Sequence, residues 1–420
     1  MSSRARTVVL LVGIVLITVN LRPAIVAVSP LLDGIREQTG MSGATAGLLT
    51  TLPVLCFGAL APLAPRLARR LGAEPVLLGA LVLLLVGIVV RLSSSMAVLF
   101  AGTVLIGGTI AIANVLLPSM IKRDLGHATG LAMGVYAMAL SAGGALAAAI
   151  TIPLQDGLDS PWRTTLALWA LLAVPAVVAA AAWLRLRRRP APATDASAAS
   201  TPRPKAGGGG APVSLWRDPV AWQVTLFMGL QSFQFYAAAA WLPTIFADHG
   251  FSESRAGLML ALATIFGTVS SLVVPIVAGR SLDQRRLVAA TAALYVVGTG
   301  GLLIAPTAAG PLWMALLGFA QGAGISLALT MIVLRTPDPE HAAALSGMAQ
   351  TVGYLLAAGG PFALGALHDV SGGWTAPLVA LMVLLVPLTV AGLGAGRRRT
   401  VGQPLGADAL AAAAAPATAA

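Results

Sequence analysis

The sequence predicts an all-α integral membrane protein with twelve transmembrane helices, arranged as two parallel-repeat bundles of six. Three observations predict this fold class. Hydrophobic residues make up 57% of the 420 residues and charged residues only 10%, whereas about 25% of the residues in soluble domains are charged. About twelve apolar stretches approach the roughly 20 residues that a helix needs to cross a bilayer. Sequence features of the first half also return, in the same order, about 210 residues later.

The predicted spans alternate with short connections rich in Gly, Pro, Ser, Asp and Arg, which form turns or are disfavoured in lipid. The spans are expected at 7–32, 45–66, 74–91, 96–120, 129–153, 163–184, 219–247, 255–278, 286–306, 310–334, 343–366 and 374–395. The first stretch could also be a signal peptide. It is longer than the apolar part of a typical signal peptide, however, and the repeat requires it as a helix.

One connection is much longer than the others. Residues 185–218 begin with arginines and continue with Pro, Ala, Ser and Gly, a composition that predicts a flexible linker because it cannot form a core. We therefore expect an N-terminal six-helix half at 1–184, a basic cytoplasmic linker at 185–218 and a C-terminal half at 219–396. A disordered cytoplasmic tail is predicted at 397–420.

Lys and Arg residues are distributed unevenly between the two sides of the predicted membrane. With the N-terminus inside, 21 of the 26 basic residues lie on the cytoplasmic side, as the positive-inside rule requires for an even number of spans. The sequence therefore predicts a multi-pass plasma-membrane protein with both termini in the cytoplasm. The net charge of +11 comes from short clusters between apolar stretches, which argues against nucleic-acid binding.

The two halves share an internal repeat. Residues 46–49 (Ala-Gly-Leu-Leu) correspond to 256–259 (Ala-Gly-Leu-Met), Pro65 corresponds to Pro275, and Arg70 corresponds to Arg280. Both halves begin on the inside, so the repeat is parallel, with its axis along the membrane normal. In such folds the substrate site lies near the bilayer midplane between the halves. The repeat therefore points to a solute transporter.

Arg22 is the main functional candidate. It lies roughly 22 Å along the first span from Thr7, where a lone guanidinium costs at least about 2.5–3.5 kcal/mol and cannot lose its proton. All 15 acidic residues fall in connections, at helix ends or in the tails, so no mid-span carboxylate is expected to neutralise it. We interpret Arg22 as the anchor for a small anionic or nitro-bearing solute. The alternative is a structural role at the outer interface or at helix-end carbonyls.

Pro23 follows Arg22 and removes a backbone hydrogen bond to the carbonyl of Val19. Irregular backbone within a membrane is tolerated where it lines a cavity. On a continuous helix, Thr18, Arg22 and Ser29 would share one face. Together with polar residues of later spans, the candidate substrate-binding set is Arg22, Thr18, Asn20, Ser29, Asn114, Gln231, Gln234, Gln321, Gln350 and Tyr354. The neutral members could instead join helices by hydrogen bonds.

Several motifs resemble the major facilitator superfamily, and within it the branch of cyanate permeases and 2-nitroimidazole transporters. The resemblance rests on residues 20–23 (Asn-Leu-Arg-Pro), 29–32 (Ser-Pro-Leu-Leu) with Ile35, and 64–72 (Ala-Pro-Arg-Leu-Ala-Arg-Arg-Leu-Gly). The pairs Pro118-Ser119 and Trp162-Arg163 are also similar to residues of this branch. The resemblance implies secondary transport by alternating access. The residues expected to act in gating are Pro23, Arg66, Arg69, Arg70 and Gly72.

The sequence departs from the superfamily pattern at two places. Pro65 stands where an acidic residue is common, which leaves that connection without its usual carboxylate latch. The fifth span has residues 141–145 (Ser-Ala-Gly-Gly-Ala) in place of the Gly-Pro pair typical of drug antiporters. This difference weakens the prediction of drug efflux without excluding it. Efflux of drugs or metabolites by the same fold is the alternative function, and a non-transporting membrane receptor or scaffold is more remote.

Other classes of function lack their chemical signatures. We expect no enzyme, because no nucleophile–base constellation is visible, and no metal site, because the four histidines lack metal-ligand spacing. No cofactor is expected, and no nucleotide-binding loop follows a strand. The single cysteine, Cys56, cannot form a disulfide within the chain. The expected partners are a small, anionic solute and the lipid bilayer, with the protein acting as a monomer.

Overall fold

The computed structural model describes residues 3–188 and 214–403, and all regular structure in these ranges is helical. The helices of the N-terminal half are α1 (Ser3–Asn20), α2 (Pro23–Val26), α3 (Leu32–Thr39), α4 (Gly43–Leu60), α5 (Leu63–Leu71), α6 (Ala73–Val90), α7 (Met96–Asp124), α8 (Thr129–Gly157), α9 (Trp162–Leu168) and α10 (Ala170–Arg188). Those of the C-terminal half are α11 (Pro219–Asp248), α12 (Glu253–Arg280), α13 (Arg285–Ile304), α14 (Gly310–Leu334), α15 (Pro339–Ser371) and α16 (Thr375–Ala395).

The predicted twelve-span architecture is confirmed. By length and apolarity, 9 helices of the described chain qualify as membrane spans, or up to 10 when α4 and α5, bent by 55°, count as one. The other two predicted spans are α11 and α15, which are long enough but less apolar. Both carry buried glutamines, Gln231 and Gln234 on α11 and Gln350 on α15. These three glutamines face protein rather than lipid.

The first span is broken at its centre. Helix α1 ends at Asn20, and α2 begins at Pro23 after two turn residues. Pro23 has no N–H, so the carbonyl of Val19 loses its usual helical donor. Gly143 on α8 lies directly against that carbonyl, where a side chain would overlap it. The predicted single face of Thr18, Arg22 and Ser29 is therefore wrong, because the helix does not continue through these residues.

The predicted linker and tail boundaries also need correction. Helix α10 continues to Arg188, and the chain is described again from Ser214. At the other end, the amide of Val401 donates to the carbonyl of Arg335 at 2.8 Å, and the amide of Gly402 donates to Asp218 at 2.7 Å. Val401 and Gly402, within the predicted tail, are therefore held against the C-terminal half by hydrogen bonds. The remaining predicted linker and tail, 189–213 and 404–420, lie outside the described residues.

The two halves meet mainly through α4, α5, α7 and α8 on one side and α12, α14 and α15 on the other. Helices α4, α5 and α7 pack on α15, and α8 packs on α12 and α14. The α8–α12 contact is tightest at Gly130 and Gly279, where an added Cβ on Gly279 would lie 2.6 Å from the Cα of Gly130. Glycine is required there because two helix backbones touch. This contact lies at the ends of both helices that the charge pattern predicts to be cytoplasmic.

Candidate functional site

The centre of the interface is built around Arg22. The break between α1 and α2 presents this residue, whose side chain is partly exposed. Its guanidinium lies beside the phenol groups of Tyr236 on α11 and Tyr354 on α15 and interacts with both electrostatically. Its Cζ also lies 5.9 Å from the ring centroid of Phe57 on α4, within cation–π range. Arg22 from the N-terminal half thus meets two residues of the C-terminal half.

Aromatic rings surround this guanidinium. The Phe57 and Tyr354 ring centroids are 5.2 Å apart, and those of Tyr236 and Tyr354 are 6.4 Å apart. Tyr136 on α8 also interacts electrostatically with Arg22. We call Arg22, Phe57, Tyr136, Tyr236 and Tyr354 the aromatic–arginine cluster. Its cation is faced by neutral phenols and a ring, so its positive charge is not cancelled by these partners.

A layer of polar groups adjoins the cluster. The Tyr136 hydroxyl donates to Asn114 Oδ1 at 3.4 Å, and the Gln350 amide donates to the Asn114 backbone carbonyl at 3.0 Å. The same amide reaches Ser346 Oγ at 2.8 Å. Within the described residues, Asn114 Nδ2 and Gln350 Oε1 have no hydrogen-bond partner. The structure therefore brings Asn114, Gln350 and Tyr354 together with Arg22, and it leaves two free polar atoms there.

The other predicted glutamines face the interior of the C-terminal half. Gln231 donates to Ser232 Oγ at 2.7 Å, and Gln234 donates to the Leu381 carbonyl at 2.7 Å. Gln234 and Gln321 line a small cavity within that half, together with Tyr295. The structure does not bring these three glutamines to Arg22. On α11, the residue that reaches Arg22 is instead Tyr236.

The remaining candidates of the first span lie on either side of Arg22. Thr18 and Asn20 are fully buried near the end of α1, and Thr18 Oγ1 and Asn20 Nδ2 have no hydrogen-bond partner in the described chain. Ser29 begins a short 3-10 turn at the outer end of the span and is exposed. Ser29 is therefore separated from Arg22 by α2.

Three residues missed by the sequence analysis belong to the site: Phe57, Tyr136 and Tyr236. The signal that was available is composition, because the chain contains only 4 tyrosines. Tyr136, Tyr236 and Tyr354 all lie inside predicted spans, and all three face Arg22. A scarce residue that recurs in spans of both halves was therefore a usable indicator of the site.

The predicted gating residues lie on α5 and at its end. Arg66, Arg69 and Arg70 are exposed, and Gly72 ends the helix with a φ of 90°, a conformation that favours glycine. Pro65 packs against Gly347 on α15, where an added Cβ would be 3.4 Å from its ring. An apolar contact with the opposite half thus occupies the position where the family pattern has an acidic residue.

A charged contact closes the predicted cytoplasmic side. The Lys122 ammonium at the end of α7 donates to the carbonyls of Val333 and Thr336, both at 2.5 Å. These carbonyls lie at and just beyond the C-terminal end of α14 in the other half, where a cation is favourable. Asp338 also interacts electrostatically with Lys122. Burial raises the pKa of Asp338, but hydrogen bonds from the His341 amide and ring outweigh burial and hold that pKa below its usual value.

Residues 10–361 match the family model described as Major Facilitator Superfamily. The 2-nitroimidazole transporter of Escherichia coli (strain K12) is 40% identical over 94% of this chain and 97% of that protein. The cyanate transport protein CynX of the same strain is 32% identical over 87% of this chain and 91% of that protein.

A solved structure also has this fold. The superfamily transporter FucP, crystallised in the outward conformation, matches with a TM-score of 0.69 and 13% identity, over 92% of this chain and 98% of FucP. The sequence matches and the twelve-span architecture lead to the same conclusion. The chain belongs to the major facilitator superfamily, in the branch of the cyanate and 2-nitroimidazole transporters, and it is a multi-pass membrane transporter rather than an enzyme.

Proposed function

We propose that the protein is a secondary active transporter that moves a small anionic or nitro-bearing solute across the plasma membrane by alternating access. The observation that carries this proposal is Arg22, a partly exposed cation at the interface of the halves that is faced by phenols and a ring. A bound anion or nitro group supplies the negative charge that these partners do not. The relatives named for 2-nitroimidazole and cyanate transport support a solute of this kind.

The chemistry of the cluster suits planar, electron-rich groups. A guanidinium presents a flat fork of N–H donors that matches carboxylate or nitro oxygens. A tyrosine oxygen that accepts from Arg22 still has its own O–H to donate, so Tyr236 and Tyr354 add donors beside the guanidinium. The rings of Phe57 and Tyr354 offer flat apolar surfaces. We infer that the solute's oxygens contact Arg22 while its flat body rests against the rings.

The cycle follows from the contacts between the halves. The structure is closed at the predicted cytoplasmic side by Lys122 and by the Gly130–Gly279 contact. In the proposed cycle, substrate bound at Arg22 draws the halves together on the outer side while the inner contacts separate. Both termini would then be cytoplasmic and the transporter would work as a monomer, with Arg66, Arg69, Arg70, Gly72 and Pro23 taking part in gating.

Counterflow in proteoliposomes tests the role of Arg22. Purified protein would be reconstituted with unlabelled 2-nitroimidazole or cyanate inside, and entry of the labelled solute would be measured. We expect Arg22→Ala to abolish counterflow, because the fork and the charge are lost. We expect Arg22→Lys to weaken it about tenfold or more, because the charge remains without bidentate geometry.

The matched control is Arg163→Ala. Arg163 is in the same half, but it stacks on Trp162 at 4.3 Å from the ring centroid and donates to Gln38 Oε1 at 3.3 Å, and neither partner belongs to the cluster. Counterflow by Arg163→Ala should equal that of the wild type. Wild-type counterflow by both Arg22 variants would refute the anchoring role.

A further inference from the structure

A second arginine is buried deeply in the N-terminal half. Arg91 follows the last residue of α6 and is only 1% exposed, one of the largest fully buried side chains of the described chain. Its Nη1 donates to the backbone carbonyl of Ala24 at 2.6 Å. Within the described residues, its Nε and Nη2 have no hydrogen-bond partner. Arg91 is thus a guanidinium whose observed bond goes to the broken first span.

Burying a guanidinium costs free energy, so the contact that Arg91 makes indicates what its burial achieves. A guanidinium stays charged in proteins, and removing it from water without a compensating charge is unfavourable. The carbonyl that receives its N–H is two residues beyond Arg22. Both arginines therefore bear on one short stretch of backbone, because Arg22 belongs to it and Arg91 donates to its Ala24 carbonyl from the end of α6.

The carbonyl of Ala24 needs a donor from outside the helix. In a regular helix it would accept from the amide of Val28, but that amide donates to Ile25 at 3.2 Å. Helix α2 has only four residues, Pro23–Val26, and terminal carbonyls of a helix require other partners. Arg91 provides that partner. Without it, α2 would have an unsatisfied carbonyl beside the break.

The position of Arg91 is itself fixed. Gly102 on α7 lies so close that an added Cβ would be 2.8 Å from the Arg91 backbone nitrogen. On the opposite side of the first span, Gly144 lies under the stem of Arg22, with an added Cβ 3.6 Å from Arg22 Cβ. The broken segment is therefore held between α8 on one side and an immobilised Arg91 on the other.

We propose that Arg91 is a positioning residue that fixes α2 and thereby orients Arg22 toward the solute. This inference rests on the proposed role of Arg22 as the anchor. Arg91 does not contact the solute, because its guanidinium atoms are buried. Its bond to Ala24 sets the direction in which the backbone leaves the break, and Arg22 precedes that point by two residues.

Hydrogen–deuterium exchange of the segment 21–28 tests the positioning directly and without a ligand. We expect Arg91→Met to raise exchange in this segment about tenfold, because the donor to Ala24 is lost. Arg91→Lys, which keeps one charged donor, should stay within about threefold of the wild type. Arg163→Met, the matched arginine control, should leave the segment unchanged. Wild-type exchange in Arg91→Met would overturn the proposal, and Arg91→Gln replaces that variant if it does not fold.

Transport of labelled 2-nitroimidazole then tests the link to Arg22. We expect Arg91→Met to raise the half-saturating concentration about tenfold while the maximal rate per folded protein is kept. In an Arg22→Lys background, which keeps weakened but measurable transport, the same change should have a much smaller effect. An equal effect in both backgrounds would refute the action through Arg22. If Arg22→Ala alone transports normally, the anchoring role fails, and the exchange measurement still decides whether Arg91 holds the segment.

Discussion

Arg22 is faced by tyrosine hydroxyl groups, and this determines what each tyrosine contributes. Tyr354 has two roles, because its ring packs on Phe57 at 5.2 Å while its phenol faces the Arg22 guanidinium. The ring accounts for packing, and the hydroxyl accounts for the orientation of the guanidinium. The two roles can be separated by removing the oxygen alone.

We predict that Tyr354→Phe raises the half-saturating concentration of the transported solute by up to about tenfold. One hydrogen bond is worth about 0.5–1.5 kcal/mol, and the ring packing is retained. The control is Tyr295→Phe. The Tyr295 hydroxyl is buried with no partner in the described chain, so its removal should be neutral or stabilising. Transport kinetics and melting temperatures of both variants test this prediction. A half-saturating concentration in Tyr354→Phe equal to that of the wild type would contradict the role of the hydroxyl group.

The sequence analysis identified Arg22 and, on α11, chose Gln231 and Gln234 but not Tyr236. The sequence does not show which face of a helix looks toward the other half. In the structure, Gln234 donates to the Leu381 carbonyl inside its own half, and Tyr236 lies beside Arg22. Which residues of α11 face Arg22 depends on packing between helices that are distant in sequence, and the periodicity of one helix does not predict that packing.

At the scale of elements, the broken first span depends on its neighbour α8. Two consecutive glycines of α8 face it with very different clearance. Gly143 touches the Val19 carbonyl freed by Pro23, whereas Gly144 has ordinary contacts with the Arg22 stem. The break was predictable from Pro23, because proline lacks the donor. The close contact of Gly143 on α8 with the Val19 carbonyl was not predictable, since the sequence does not show which helix lies against Val19.

We predict that Gly143→Ala lowers the melting temperature and transport, because a methyl group would overlap the Val19 carbonyl and push α8 away. Overpacking of this kind typically costs about 1–3 kcal/mol. Gly144→Ala is the matched control one residue further, where the nearest atom would be 3.6 Å away, and it should keep the wild-type melting temperature. Equal melting temperatures for the two variants would contradict the role assigned to Gly143.

At the scale of the whole molecule, adjacent residues of α7 serve different purposes. Lys122 reaches carbonyls of the opposite half. Arg123 instead bonds Glu74 at 2.6 Å and Asp124 at 2.8 Å, within its own half. The first contact must break when the inner side opens, and the second need not. Charge counting predicted the side on which both lie, but the partner of each depends on the closed arrangement of the halves.

We predict that Lys122→Met shifts the protein toward the inward-open state. Pairs of spin labels at Gly126 with Ser281 and at Leu158 with Val370 would measure inner and outer separations, since the native Cys56 is buried. The inner distance should lengthen and the outer distance shorten. Arg123→Met is the control, and it should lower stability without lengthening the inner distance. An unchanged inner distance in Lys122→Met would show that this contact does not hold the inner side closed.

The neutral surroundings of Arg22 have an electrical consequence. In the proposed cycle the site is neutral when a monoanion is bound and carries a full positive charge when empty. One elementary charge crossing 100 mV corresponds to about 2.3 kcal/mol. A negative-inside voltage therefore acts on the empty transporter and favours its inward-facing state. Return of the empty site to the outside is opposed by this voltage during uptake, whereas its return to the inside is assisted during export.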